Sequence, residues 1–301
     1  MEALAAERRR RERFAWAVAV IFPRNRVTIV GVLNATPDSF SDGGQLLGDG
    51  GRVDVDRAIS AASHLIADGV HILDIGGEST RPGAAEVPAD AEIDRTATIV
   101  EAISKRFDVR VSIDTRKRKV AQAALTAGAT IVNDVSGLRF DPALAEAVSD
   151  AGAALILGHL RGTPETMQDE PYFDDVCAEV ADELAESVSL ARVAGVPDDQ
   201  LAVDPGIGFG KRLSDNLELL AHPAELRARL GLPVLVGPSR KGFLGSLTGD
   251  PLECRDRATA AACAVAVFAG ADAVRVHDVA GAVRAVAVAS ALRAARKEGL
   301  A

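Results

Sequence analysis

Several short apolar runs in this sequence end in a residue that is charged or can form several hydrogen bonds. Examples are Asn34 after Val-Gly-Val-Leu, Asp114 after Val-Ser-Ile, and Arg275 and His277 within Val-Arg-Val-His. Carboxylates and carboxamides can pair with the amide and amine edges of a flat heterocycle, whereas arginine forks suit phosphate oxygens. These residue types therefore predict a site for a planar heterocycle joined to a phosphorylated arm.

The candidate residues fall into two groups by chemistry. The heterocycle ligands would be Asp114, Asn133 and Asp204, and the cations for the anionic arm would be Arg81, Arg275 and His277. Taken singly, each residue is better explained as a hydrogen-bonded cap at the end of a strand. Polar residues at the ends of eight strands would converge on one cavity, however, and this convergence favours a binding site.

The elements that position these residues alternate in type along the chain. Apolar runs typical of buried strands occupy 27–33, 70–75, 109–114, 130–133, 153–159, 201–204, 233–237 and 272–277. Helical patterns occupy 54–67, 90–105, 116–127, 141–150, 174–194, 214–229, 254–269 and 279–296. Such repeated βα units predict a single α/β domain, a (β/α)8 TIM barrel over residues 27–296. A short N-terminal helical extension would occupy residues 1–26.

The composition of the chain limits the kinds of binding partner and the cellular location that we expect. The chain has 301 residues and a formal net charge of −9, so it has no excess of basic surface for nucleic acid. An apolar run over 14–22 follows the arginine-rich residues 8–13 and is too short to cross a bilayer, so no membrane partner is expected. We interpret the apolar run as part of a helix that packs Phe14, Trp16 and Phe22 under the barrel, with a secretory signal peptide as the alternative.

Three irregularly spaced cysteines favour reduced thiols and a cytoplasmic location.

A glycine-rich segment after the sixth predicted strand resembles two nucleotide-binding motifs without matching either. Gly206-Ile-Gly-Phe-Gly-Lys211 is one residue short of a P-loop, and Arg212 stands where the P-loop has its Mg²⁺-binding Ser or Thr. Its glycine spacing also differs from that of the dinucleotide-binding fingerprint. The segment is therefore predicted to be a loop that lets Phe209 and the backbone approach a ligand.

Eight motifs together resemble one known family. They are Asn-Ala-Thr-Pro-Asp-Ser-Phe-Ser-Asp-Gly-Gly (34–44), Gly-Gly-Glu-Ser-Thr-Arg-Pro-Gly (76–83), Ser-Ile-Asp-Thr (112–115), Asn-Asp-Val-Ser-Gly (133–137), Arg-Gly-Thr-Pro-Glu-Thr-Met-Gln (161–168), Asp-Pro-Gly-Ile-Gly-Phe-Gly-Lys (204–211), Ser-Arg-Lys (239–241) and Arg-Val-His-Asp-Val (275–279). Through them, residues 27–295 resemble the dihydropteroate synthases, pterin-binding TIM barrels of folate biosynthesis. The resemblance implies a transferase that condenses 6-hydroxymethyl-7,8-dihydropterin diphosphate with 4-aminobenzoate. The products would be 7,8-dihydropteroate and pyrophosphate. The cofactor would be Mg²⁺, and the protein would assemble as a homodimer.

The resemblance also implies roles for individual residues. The pterin ligands would be Asp114, Asn133, Asp204, Lys241 and Arg275, with Arg275 stacking on the ring. The diphosphate ligands would be Asn34, Arg81, Arg275 and His277, with Asn34 as the metal ligand. The 4-aminobenzoate pocket would be formed by Thr80, Pro82, Phe209 and Lys241, together with the backbone near Gly242.

The chain departs from the family pattern at the end of the fifth strand. Gly158 and Leu160 stand where methionines are usual, and Pro238 is an unusual residue before Ser239. Loss of a methionine side chain at position 158 would leave space in the floor of the pterin pocket unless Leu138 or Ile207 fills it. Gly158→Met is therefore expected to tighten pterin binding or leave it unchanged.

The chemistry expected of such a site needs charge stabilisation more than proton transfer. Pyrophosphate can leave first because an electron-rich dihydropterin delocalises the resulting cation, so no side chain is assigned as an obligatory general base. Two alternatives remain open: a methyltransferase barrel that binds methyltetrahydrofolate, and a catalytically silent protein that only binds pterins. The first would have no use for Arg81, and the second would be favoured if the cations for the diphosphate were missing.

The last two helical segments carry more apolar surface than a barrel helix needs. The ranges 257–268 and 279–292 are rich in Ala and Val over most of their surface. A helix on the outside of a barrel requires only one apolar stripe. The surplus predicts a subunit contact, in agreement with the homodimer that the resemblance implies.

Overall fold

Eight parallel strands form a closed barrel in the computed structural model, which describes residues 21–36 and 54–298. The strands are β1 (Thr28–Asn34), β2 (Ile72–Gly76), β3 (Arg110–Asp114), β4 (Ile131–Asp134), β5 (Ala154–Gly158), β6 (Leu201–Asp204), β7 (Leu235–Val236) and β8 (Ala273–Val276). Their hydrogen-bonded order is β6-β5-β4-β3-β2-β1-β8-β7. A parallel bridge between Val203 and Val234 joins β6 to the residue just before β7. The predicted TIM barrel is therefore confirmed.

Helices follow the strands and cover the outside of the barrel. They are α1 (Val55–Ala67), α2 (Ala89–Arg106), α3 (Arg118–Ala127), α4 (Leu144–Asp150), α5 (Val176–Val193), α6 (Leu213–Ala221), α7 (Pro223–Leu230), α8 (Gly242–Thr248), α9 (Asp256–Ala269) and α10 (Val279–Glu298). Six glycines that follow helices have positive φ, the left-handed geometry that favours glycine at a helix C-terminus: Gly69, Gly128, Gly152, Gly195, Gly231 and Gly270. Among the helices of the described ranges, none is long and apolar enough to span a bilayer.

Two helical segments differ from the sequence-based expectation. The single helix predicted over 214–229 is broken at His222 into α6 and α7, because proline disfavours helical geometry in the residue before it and Pro223 begins a new helix. The short helix α8 lies in the connection after β7, where no helix was predicted. Seven residues with two glycines give too weak a periodic signal for sequence analysis.

Alternate residues of each strand face the barrel interior, and this period of two separates an apolar layer from a polar one. Val30, Ile72, Ile131, Ile156 and Leu235 belong to a buried interior cluster. Two or four residues further along, the inward faces of the strands carry polar residues: Asn34, Asp74, Asp114, Asn133, Asp204 and Arg275. The register places Asn34 opposite Gly76, Gly76 opposite Asp114, and Asp114 opposite Asn133. Polar side chains from neighbouring strands therefore meet at one end of the barrel.

The residues just before β1 close the opposite end of the barrel. Ile21 and Phe22 are 0% and 2% exposed and pack in the same cluster as Val30 and Ile72. The guanidinium of Arg110 donates a hydrogen bond to the carbonyl of Ile21 at 2.7 Å. Packing of Phe22 under the barrel agrees with the expectation for the N-terminal segment, whereas Phe14 and Trp16 lie outside the described residues.

Gly158 leaves no gap at the end of β5, although a gap was expected because glycine stands where the family usually has methionine. A Cβ atom at this position would lie 2.6 Å from Cα, 2.8 Å from O and 2.9 Å from C of Val135. The backbone leaving β4 therefore occupies the space, while Leu138 and Ile207 pack elsewhere, in the layer between strands and helices. The structure contradicts the premise of the expectation for Gly158→Met, because the added side chain would have to displace backbone instead of filling a gap.

Gly158→Ala is expected to lower the free energy of unfolding by ~1–3 kcal/mol, since the added methyl group overpacks against a rigid backbone. Gly242→Ala is the matched control, because a Cβ there meets no heavy atom within 4 Å. That control should raise the free energy of unfolding, by no more than ~1 kcal/mol. Urea denaturation measures both changes, and equal stability of Gly158→Ala and the parent would contradict the close contact.

Candidate active site

A cavity of about 650 Å³ lies at the C-terminal ends of the strands. Nine of the predicted site residues line it: Asn34, Thr80, Arg81, Pro82, Asp114, Phe209, Lys241, Arg275 and His277. Asn133 and Asp204 are in contact with neighbours of this lining and are described below. Residues from six strand ends thus meet at one place, as the sequence pattern predicted. The motif over 34–44 is described only as far as Thr36, and its remainder lies outside the described residues.

Arg275 stands at the centre of the cavity floor between two carboxylates. Its Nε donates to Asp74 Oδ2 at 2.6 Å, and its Nη2 donates to Asp114 Oδ2 at 2.6 Å. The side chain of Asp74 is 0% exposed and also accepts a hydrogen bond from Asn133 Nδ2 at 3.1 Å. Residues from β2, β3, β4 and β8 are therefore linked through one guanidinium, whose plane is fixed by two ion pairs.

Burial and these ion pairs together determine the pKa values of the groups in the floor. Burial lowers the pKa of Arg275, but Asp74 and Asp114 outweigh it and hold the pKa above its ordinary value. Burial raises the pKa of Asp114 to about 7, with Arg275 opposing the shift and Asp74 adding to it. Burial also raises the pKa of Asp204, against the hydrogen bond that its Oδ1 accepts from Gly206 N at 2.8 Å. Asp204 Oδ2 lies beside Gly237, which lines the cavity.

His277 is a neutral hydrogen-bonding group and not a cation in this site. Burial, followed by the charges of Arg240, Arg275 and Arg81, lowers the pKa of His277 to about 3. Its Nδ1 lies 2.9 Å from Ser239 Oγ, and that same oxygen accepts the backbone N–H of His277 at 3.1 Å. With the serine hydroxyl donating to Nδ1, Nε2 carries the ring proton. The expectation that His277 supplies positive charge is therefore corrected.

Lys241 and Phe209 form one wall of the cavity. Lys241 Nζ lies 3.6 Å from the centroid of the Phe209 ring, a cation–π contact. Burial and the neighbouring Arg275 lower the pKa of Lys241 to about 8. Phe209 also packs in a small apolar cluster with Val135, Leu160 and Met167. The wall thus combines a fixed aromatic ring with an ammonium group.

The loop after β2, which carries Thr80, Arg81 and Pro82, is held by a buried charge network. Glu78 Oε1 accepts hydrogen bonds from Lys117 Nζ at 2.9 Å and from the Val87 backbone N–H at 2.8 Å. Lys117 Nζ also donates to Glu92 Oε2 at 2.7 Å, and Glu92 is 0% exposed. One carboxylate thereby ties the beginning of the loop to its end and to the segment after β3. The exposed residues between these ends are held over the cavity.

A second buried network lies beneath the loop after β6. Lys211 Nζ donates to His159 Nδ1 at 2.9 Å, and His159 Nε2 donates to Glu183 Oε2 at 3.1 Å. Burial lowers the pKa of Lys211 to about 7, and burial together with Lys211 lowers that of His159 to about 4. Glu183 is also paired with Arg139 at 2.6 Å and with Arg161.

No individual role was predicted for Asp74, Glu78, Lys117 or Lys211. A signal existed for Asp74, because a carboxylate interrupting Ile-Leu-Asp-Ile-Gly must face the barrel interior. Glu78 and Lys117 are 39 residues apart, and no local pattern indicates their contact. The contacts that these residues make are evident only from the three-dimensional arrangement.

Comparison with known proteins agrees with this architecture. A model of the pterin binding enzyme family matches residues 30–277. A dihydropteroate synthase from Synechocystis is 44% identical over 247 residues, which are 81% of this chain and 83% of the relative. The chain belongs to the dihydropteroate synthases. The family that the motifs resemble is therefore confirmed.

Solved structures of dihydropteroate synthases share the fold. The Yersinia pestis enzyme in complex with a sulfonamide drug superposes with a TM-score of 0.84 and 40% identity, covering 90% of this chain and 95% of that chain. The Xanthomonas albilineans enzyme with 4-aminobenzoic acid superposes with a TM-score of 0.80 and 42% identity, covering 90% and 94%. The barrel and its connections are thus those of dihydropteroate synthases.

Lys117→Met is expected to lower the free energy of unfolding by ~3–5 kcal/mol, because it leaves the buried Glu92 carboxylate without its partner. The exposed neighbour Lys119 provides the control, and Lys119→Met should change stability by no more than ~0.5 kcal/mol. Adding Glu92→Gln to Lys117→Met should recover part of the loss. Denaturant titration of the four proteins tests this, and a Lys117→Met protein as stable as the parent would exclude a structural role for the network.

Proposed function

We propose that the protein condenses 6-hydroxymethyl-7,8-dihydropterin diphosphate with 4-aminobenzoate, releasing pyrophosphate and 7,8-dihydropteroate. The proposal rests on the way charged and polar residues are arranged around one cavity in this member of the dihydropteroate synthases. Its floor is formed by the Asp74–Arg275–Asp114 ion pairs, and Arg81, Lys241 and His277 lie around it. A heterocycle and its anionic arm can therefore bind side by side.

The pterin would bind with its amide and amine edge against Asp114, Asn133 and Asp204. Carboxylate and carboxamide oxygens accept hydrogen bonds from that edge, and the Asn133 amide can also donate to a ring carbonyl. Asp114 uses Oδ2 for Arg275, which leaves its second oxygen for the ligand. Arg275 is held flat by its two carboxylates and would stack on the ring, while Lys241 would complete the pterin site.

The diphosphate would bind among Asn34, Arg81, Arg275 and His277. Arg81 lies on an exposed loop beside the cavity, and its charge contributes to the lowered pKa values of Lys241 and His277. Cations crowded in this way favour an anion that would neutralise them. Neutral His277 would donate its Nε2–H to a phosphate oxygen. Together these groups stabilise charge that develops on the departing pyrophosphate.

Mg²⁺ fits this donor set as a partner of the diphosphate. Among the described residues, no cluster of three or more His, Cys, Asp or Glu side chains could form a metal cage. Mg²⁺ commonly keeps several waters and is held by one or two protein oxygens together with substrate phosphates. The Asn34 side-chain oxygen at the cavity would be the protein ligand. When bound, the ion would neutralise negative charge on the leaving group.

The 4-aminobenzoate would occupy the side of the cavity formed by Thr80, Pro82, Phe209 and Lys241. The bond between the pterin methylene carbon and the diphosphate oxygen breaks first, and its electrons leave with pyrophosphate. The aniline nitrogen then attacks the delocalised cation, forms the C–N bond and loses its proton to the pyrophosphate or to water. The protein's main contribution to this step is orientation of the amine. Neither methyl transfer nor silent pterin binding is favoured by a specific feature of the site.

The assembly that we propose is a homodimer formed through α9 and α10. These helices pack on each other and expose four large apolar side chains: Val265 (59%), Phe268 (39%), Val288 (62%) and Leu292 (57%). Apolar groups clustered on neighbouring helices favour a protein contact. We also propose a cytoplasmic location, which is supported by the three free cysteines, Cys177, Cys254 and Cys263.

Pyrophosphate release by the purified protein tests the proposed reaction. Release should require both the pterin diphosphate and Mg²⁺, and dihydropteroate should form in equal amount when 4-aminobenzoate is present. Arg81→Ala should slow turnover at least ~10-fold, because one charge-assisted contact to the leaving group is worth ~1.5–3 kcal/mol. Binding of a pterin without the diphosphate should not change. The exposed Arg106→Ala is the control, and an unaltered rate in Arg81→Ala would remove Arg81 from the anion site.

The proposed dimer is tested by light scattering at micromolar concentration. The parent protein should have the mass of two chains, and the double variant Val288→Glu/Leu292→Glu should have the mass of one, since buried unpaired carboxylates oppose association. Val193→Glu introduces the same charge on α5 at a side chain that is 85% exposed, and it should remain dimeric. A monomeric parent protein would contradict the proposal.

A further inference from the structure

The loop after β6 has a shape that it cannot maintain by itself. Gly206, Gly208 and Gly210 have φ values of 70°, 80° and 59°, so every second residue is in the left-handed region. A backbone of this kind forms no regular ladder of hydrogen bonds, and glycine adds conformational freedom to the unfolded loop. The loop nevertheless carries Phe209, which lines the cavity and is only 9% exposed. Contacts from outside the loop must therefore hold it.

Three side chains hold the backbone on either side of the Phe209 side chain. The Gly208 N–H donates to Asn216 Oδ1 at 2.6 Å, and the Gly208 carbonyl accepts from Gln168 Nε2 at 3.1 Å. The Phe209 carbonyl accepts from Lys211 Nζ at 3.0 Å. Both polar backbone groups of Gly208 are thus satisfied by side chains from two other segments, the loop after β5 and helix α6.

The side chains of Asn216 and Gln168 belong to segments that are themselves held in place. Asn216 is 3% exposed, and its Nδ2 donates to the carbonyls of Arg212 at 2.8 Å and Lys211 at 3.3 Å. Gln168 follows Met167, whose side chain packs with Phe209 in the apolar cluster. The loop after β5 therefore contacts both the ring of Phe209 and the backbone beside it. Its motif over 161–168 is prominent in the sequence, yet the reaction chemistry assigns it no task.

We propose that Gln168 and Asn216 are positioning residues that fix Gly208 from its two sides and thereby set the aminobenzoate wall of the cavity. The inference rests on the proposed function, in which Phe209 forms part of that wall. Because the clamp acts on the orientation of Phe209 and not on the pterin floor, its loss should weaken 4-aminobenzoate binding selectively. Since both residues act on the same glycine, their effects should not be independent.

Steady-state kinetics of Gln168→Ala, Asn216→Ala and the double variant test the proposal. Each single variant should raise KM for 4-aminobenzoate by roughly 5- to 10-fold, the range expected for one lost hydrogen bond, with kcat changed less than about twofold. The double variant should show less than the product of the two single effects. The dissociation constant of a pterin analogue should stay unchanged in all three. Equal effects on both ligands, or two fully multiplicative effects, would overturn the clamp.

Two control variants separate positioning from general stability. Gln122→Ala removes an exposed glutamine from α3 and should alter neither constant. Asp215→Asn weakens the capping interaction of α6 with Arg212, one residue before Asn216, and should lower stability without raising KM for 4-aminobenzoate. Gln168 is exposed, so Gln168→Ala remains informative even if the buried Asn216→Ala fails to fold.

A reference variant and a measurement without substrates distinguish failure of this inference from failure of the proposed function. If Phe209→Ala leaves KM for 4-aminobenzoate unchanged, the proposed place of Phe209 in the pocket is wrong. Hydrogen exchange of residues 206–210 in the unliganded protein tests the clamp independently of any reaction. Exchange of the Gly208 amide should be at least roughly 10-fold faster in both single variants than in the parent and in Gln122→Ala. Unchanged exchange would show that Gln168 and Asn216 do not hold the loop and would overturn the proposal.

Discussion

The ion pairs of Arg275 with Asp74 and Asp114 are the constraint on which the rest of the site depends. Two carboxylates are buried in the barrel beside one guanidinium, and each distance is 2.6 Å. Removing Arg275 would leave Asp74 and Asp114 buried without this partner, which is far more costly than the loss of a surface ion pair. The same arrangement fixes the plane of Arg275 and joins β2, β3 and β8. Stability and the shape of the binding floor therefore come from one interaction.

The electrostatic character of the cavity differs from that of the chain as a whole. The protein carries a formal net charge of −9, yet Arg81, Arg240, Lys241 and Arg275 are close enough to depress the pKa of His277. Arg240 is paired with Asp256, and Arg275 is paired with Asp74 and Asp114, so the protein itself balances part of this positive charge. An anionic ligand would add further negative charge beside these groups. Local placement, and not net charge, determines which substrates such a site attracts.

The loops that carry the remaining site residues are held by buried charged groups at their ends and beneath them. Glu78 and Lys117 tie the ends of the loop after β2, and a chain from Lys211 through His159 to Glu183 underlies the loop after β6. The two loops are also linked through the loop after β5, because the Gly83 N–H donates to the Pro164 carbonyl at 3.0 Å. Loops of a barrel can vary in sequence without loss of the fold, so precision at the site requires such dedicated contacts.

The amino-acid sequence by itself determined the fold class, the family and the convergence of the polar residues. Strand and helix periods are local properties, and they predicted eight βα units and the inward direction of Asp114, Asn133, Asp204 and Arg275. Only the tertiary structure decided what those groups contact: the Asp74–Arg275–Asp114 bridge joins residues up to 201 positions apart. It also decided that His277 is neutral and that the Val135 backbone fills the space beside Gly158. Burial, charge and close packing at a site depend on segments distant in the chain, and no local pattern of residues contains that information.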